Sequence, residues 1–239
     1  PLELQNDGTL LLSDIAAAIK PDDPHFARTR LIVIENTVGG KVLPLSYMRD
    51  VAALAKDKGL ACHIDGARLM NAAVVLAPQH NVTPQQMARE LCTGFDSVSL
   101  CLSKGLGCPV GSLLLGSADF IARAKRVRKK LGGGMRQTGI LAAAGLYALE
   151  NNINRLADDH ANAQLLAEGL REAGFIVEPV QTNMVYVQMG EKAEAIKAFA
   201  AERGIKLSAA ARLRMVTHMD VKRSQIEQVI ATFVEFSRK

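Results

Sequence analysis

The sequence predicts an α/β domain built on a mostly parallel sheet, followed by a smaller α+β domain. Three observations carry this expectation. Leu31-Ile32-Val33-Ile34 is a continuous apolar, largely β-branched run, the pattern of a strand buried on both faces. From there to about Leu115, strand and helix signals alternate. After Gly116 the pattern changes to long helical periods and then to short strands interleaved with helices.

The elements follow in order. A turn at Gly39-Gly40 closes the first strand, and Ser46 is the expected N-cap of a helix running to Lys58, with Gly59 at its exit. A strand over Leu60–Ile64 ends at Asp65-Gly66. Thr83-Pro84 reads as N-cap and first helical position of a helix reaching about Leu91. A strand over Ser97–Leu102 runs into Ser103-Lys104-Gly105, and Val110–Leu115 reads as the next strand. Helical periods then occupy 117–130, 136–152 and 154–173. Strands at Met184–Val187 and Arg212–Thr217 alternate with helices over 191–203 and 222–237. The expected division is a large domain over 1–152 and a small C-terminal domain over 153–239.

Composition narrows the function classes. The chain has 239 residues, 49% of them hydrophobic, enough for a core without covalent staples. No run of eighteen apolar residues occurs, so no membrane-spanning helix is expected. The formal charge is +5, densest at Arg123, Lys125, Arg126, Arg128, Lys129 and Lys130. Without interleaved aromatics or a reader motif, this cluster does not point to nucleic acid. It reads as the solvated face of a helix or a site for a small anion. The four cysteines form no C-x-x-C pair and are expected as buried thiols in a reducing cytoplasm. Pro1 opens the chain without an initiating methionine or the basic and apolar regions of a secretory leader, and translation is expected to begin elsewhere.

Ligands of open α/β sheets bind beyond the carboxyl ends of the strands. Asp65 and Lys104 stand at two such ends. They could be a plain ion pair. Their surroundings also suit chemistry: Gly105-Leu106-Gly107 lets backbone approach a ligand closely. A lysine at an apolar rim loses hydration, which lowers its pKa and frees the amine as a nucleophile. A nearby carboxylate suits a pyridinium nitrogen, and Arg68 offers a planar fork for a substrate carboxylate. His63 is assigned to the sheet face opposite Asp65, and therefore to packing.

The motifs His63-Ile64-Asp65-Gly66-Ala67-Arg68, Cys101-Leu102-Ser103-Lys104-Gly105-Leu106-Gly107 and Gly132-Gly133-Gly134-Met135-Arg136-Gln137 together resemble the threonine aldolases. The likeness continues through Arg155-Leu156, Asp159-His160, Thr182-Asn183-Met184 and the stretch from Arg214 to Val221. It implies the aminotransferase-like (fold type I) architecture and pyridoxal phosphate as cofactor. Lys104 matches the Schiff-base lysine, and Asp65 the partner of the pyridine nitrogen. Arg68 and Arg214 match the arginines on the amino-acid carboxylate. His25 matches a histidine near the substrate's β-hydroxyl, and Lys129 and Arg136 match basic residues reaching a cofactor site, that of a neighbouring subunit. The implied reaction is retro-aldol cleavage of L-threonine or L-allo-threonine to glycine and acetaldehyde, in a dimer-based tetramer. Racemisation, β-elimination, or a non-catalytic fragment serving in assembly are the competing readings.

Three departures from the family pattern are visible. Val38 stands where a histidine is usual, and Ala77–Thr93 reads as a longer surface insertion. The Gly-Thr turn that cups the cofactor phosphate and the histidine that stacks on its ring belong upstream of this region in the family. The chain is therefore expected to represent the lysine-bearing and C-terminal parts of such an enzyme.

Overall fold

A computed structural model describes residues 2–238, which divide into two compact units, one ending at Asn154 and the other beginning at Arg155. In the first unit, strands β1 (Leu31–Glu35), β2 (Ala61–Asp65), β3 (Ser97–Cys101) and β4 (Ser112–Gly116) lie side by side in that order. β1, β2 and β3 are parallel, and β4 turns back antiparallel to β3. A short helix, α1 (Leu12–Ala17), precedes the sheet. Helices α2 (Leu45–Asp57), α3 (Leu69–Leu76) and α4 (Pro84–Cys92) fill the crossovers.

The sheet has one dry face and one open face. Ile32, Ile34, Cys62, Ile64, Val98 and Leu100 point to the dry side, and Met48, Val51, Ala72, Met87 and Leu91 of the crossover helices are buried with them. β1 is not buried on both faces: Leu31 is 49% and Val33 51% exposed. An apolar run shows that a strand can be covered twice. It does not supply the second layer, and among the described residues Leu31 and Val33 stay open on that side.

Local signals hold unevenly. Thr83 forms a complete capping box with Gln86 at the start of α4, with Pro84 at the first helical position. Ser46 is not an N-cap: the helix starts one residue earlier at Leu45, behind an extended Pro44, which places Ser46 inside the first turn. The longer 77–93 segment is not simply a surface insertion. A 3-10 turn over Ala77–His80 leads into α4, and Ala77, Met87, Ala88 and Leu91 are buried. Helices α5 (Ala118–Lys130) and α6 (Gly139–Asn151) complete this unit; α5 buries none of its residues.

In the second unit, β5 (Met184–Gln188) and β6 (Arg212–Val216) form an antiparallel pair. The helices are α7 (Leu156–Glu172), α8 (Ala193–Ala201) and α9 (Arg223–Ser237). Leu166, Leu170, Val185, Val187, Ile196, Leu213 and Phe233 make its core, and Phe175 meets Phe233 edge-on at 5.2 Å. Arg155 grips the buried Asp159 carboxylate with two hydrogen bonds of 2.9 and 2.7 Å. Among the described residues, no helix is long and apolar enough to cross a membrane.

Candidate active site

The site is built where three parallel strands end. Asp65 closes β2, and the turn after it is pressed against β3: Gly66 N donates to Ser99 O at 2.8 Å. A Cβ on Gly66 would stand 2.6 Å from that same carbonyl oxygen, so a side chain there would push the turn off its neighbour. Asp65 Oδ1 accepts from Ala67 N at 3.2 Å, which holds the carboxylate over the turn that carries Arg68.

Lys104 follows β3 in a second tight turn. Gly107 N donates to Lys104 O at 2.9 Å, and Gly107 has φ +76°, a left-handed conformation that suits glycine. The base of this loop is closed by Leu102 N to Gly111 O (2.9 Å) and Cys108 N to Leu102 O (3.0 Å). The lysine therefore sits on a short loop fixed at both ends, and its side chain is half-buried.

A fourth charged group joins them, unmarked in the sequence reading. Glu35 ends β1 in direct register with Asp65. Lost hydration raises its pKa above the usual carboxylate value; the Asp65 charge adds to this, and Arg68 and Lys104 oppose it. Those three charges thus all reach the Glu35 carboxyl. Asn36 fixes its position: Asn36 N donates to Asp65 O at 3.1 Å, and the buried Asn36 side chain accepts from Leu43 N at 3.2 Å. A glutamate ending an apolar strand, level with the next strand's terminal aspartate, was the available signal.

His63 requires a correction. Residues two apart on a strand share a face, so His63 lies on the same face as Asp65, not the opposite one. Its Nδ1 is 2.8 Å from Ser97 Oγ, its registered partner on β3.

The structure gathers Asp65, Arg68 and Lys104, with Glu35; within the first unit it leaves His25, Lys129 and Arg136 outside this cluster. His25 lies on the loop entering the amino end of β1, 87% exposed, with Nδ1 2.8 Å from Asp23 Oδ1. Lys129, in the last turn of α5, and Arg136, on the α5–α6 connection, are exposed, and the Lys129 side chain lies against Gly134. Arg214 is exposed on β6 in the second unit, paired in register with Tyr186.

Residues 1–192 match the family described as beta-eliminating lyase. The low-specificity L-threonine aldolase of Escherichia coli O157:H7 is 49% identical over 237 residues, spanning 99% of this chain and 69% of that protein. This chain belongs to the threonine aldolase family. The chain also shares its fold with the solved threonine aldolase of Leishmania major, at TM-score 0.81 and 20% identity over 97% of this chain and 68% of that one. A serine palmitoyltransferase solved with pyridoxal phosphate matches at TM-score 0.60 and 20% identity, over 88% of this chain and 55% of its own. The chain thus shares its fold with both of these solved proteins.

The donor set fits the ring end of pyridoxal phosphate. An amine, a carboxylate and a guanidinium are held at adjacent strand ends, and the glycine at 66 keeps the turn under them close to the sheet.

Proposed function

We propose that the chain carries the pyridoxal-phosphate chemistry of a low-specificity L-threonine aldolase, cleaving L-threonine or L-allo-threonine to glycine and acetaldehyde. The observation that supports it most directly is the placement of Asp65 and Lys104 at the carboxyl ends of neighbouring parallel strands, in a chain 49% identical to such an enzyme. When bound, the cofactor supplies the electron sink for the breaking Cα–Cβ bond. Lys104 provides the amine that anchors it. Asp65 would stand at the ring nitrogen, where a carboxylate favours the protonated ring. Arg68 forks onto the substrate carboxylate, the role that the resemblance also gives Arg214. Held in this way, the bond to be broken can align with the ring, a positioning effect worth several powers of ten in rate. His25 is assigned to the β-hydroxyl, and Lys129 and Arg136 to a neighbouring subunit's cofactor.

The assembly proposed is a homo-oligomer, a dimer-based tetramer. Its support is the α5–α6 region, where Leu131 is 81% and Ile140 73% exposed, beside Met135, Leu146 and Tyr147. The four free thiols suit a reducing cytoplasm.

The test is to mix the purified chain with pyridoxal phosphate and follow its visible absorbance, then to assay threonine cleavage. A new band that Lys104→Ala abolishes, with glycine and acetaldehyde formed in equal amounts, is the expected result. Racemised substrate, or ammonia with a 2-oxo acid, would replace the aldolase reading by the two neighbouring chemistries. A chain that forms no band is a non-catalytic partner.

A further inference from the structure

The open face of the sheet ends in two carboxylates side by side. Glu35 and Asp65 are registered partners on parallel strands, about 4.8 Å apart at the backbone, and both side chains leave the sheet on the same side. The backbone holds this register beyond the strands, through Asn36 N to Asp65 O at 3.1 Å. Two like charges so placed are unfavourable together, so the pair resists carrying both unless cations are shared between them.

The cations are those of the site. Arg68 comes from the turn after β2, and Lys104 from the turn after β3, and both act on Glu35. Further down the same face stands His63, bonded to Ser97. With Glu35 protonated, it makes no claim as an anion on Arg68 and Lys104. With Glu35 ionised, it competes with Asp65 for both, and a second negative charge at the strand ends favours positive charge on the groups around it.

We propose that Glu35 is a positioning residue of the aldolase site, acting through its registered partner Asp65 to set how Arg68 and Lys104 are shared between the two carboxylates. The inference rests on the pyridoxal-phosphate reading above and adds to it a residue with no part in holding cofactor or substrate. The raised proton affinity of Glu35 agrees with it: lost hydration is the larger cause, and Asp65 the second.

The experiment has two arms. In the first, the chain is labelled with 13C-carboxyl glutamate and titrated by NMR without cofactor. Glu35 is assigned by the resonance missing from Glu35→Gln. Its midpoint should lie above that of ordinary glutamates, and Asp65→Asn should lower its proton affinity at least about threefold. In the second, the pyridoxal-phosphate band is titrated in wild type and in Glu35→Gln, a variant of the same shape. The midpoint governed by Lys104 should move to lower pH in the variant, again by about threefold or more. Circular dichroism confirms that each variant is folded. A Glu35 midpoint indifferent to Asp65→Asn overturns the proposal, as does a band with the same midpoint in both proteins. If the wild type forms no band, the cofactor reading fails and the proposal with it; a normal band with an unmoved midpoint overturns the proposal alone.

Discussion

Glu35 and His63 show what single residues hid. The chemistry of Asp65, Arg68 and Lys104 was legible because motif and strand-end position agreed. Glu35 was not, since its meaning comes from the register between two strands that are thirty residues apart in sequence. His63 could have been placed correctly by the two-residue repeat of a strand alone. His160 has a different consequence. Burial lowers its pKa from 6.5 to about 4, so it stays neutral in the folded chain. In the unfolded chain it takes up a proton as pH falls through 6.5. The unfolded form then binds more protons, and stability drains between pH 6.5 and about 4, while above 6.5 it is fully present. Urea titrations over that range should show a loss on the order of 3 kcal/mol from this group. His160→Asn should flatten that part of the profile.

At the scale of the elements, agreement depended on how local each signal was. Thr83-Pro84 with Gln86 marks a helix start by hydrogen bonds within four residues, and the structure has it. Replacing Thr83 with alanine should cost about 1 kcal/mol, read as a lower urea midpoint with an unchanged slope. Ser46 failed as a cap because Pro44, extended at φ −61° and ψ 147°, already begins the helix. β1 failed as a doubly covered strand for a less local reason. Its apolar sequence is compatible with two buried faces, but the second cover must come from some other element. Parallel pairing, β4 excepted, followed from the alternation of strands and helices, which fixes direction but not what lies above the sheet.

On the scale of the whole molecule, the exposed apolar side chains of α5, α6 and their connection are where the proposed oligomer can be tested. Ile140→Asp should lower the association state, measured by sedimentation at micromolar concentration, while leaving the circular dichroism spectrum unchanged; an unaltered sedimentation coefficient would remove this surface from the interface. The open face of the sheet bears on the site in a further way. Glu35 and Asp65 stand where water reaches them, so dissolved ions reach them too. The distance over which such charges feel one another shrinks from about 30 Å at 0.01 M salt to about 3 Å at 1 M. Asp159 is closed off from solvent and Arg155 mostly covered, so their pair is screened less. Ionic strength thus acts selectively on this protein, loosening the charge balance at the strand ends while leaving the buried pair intact.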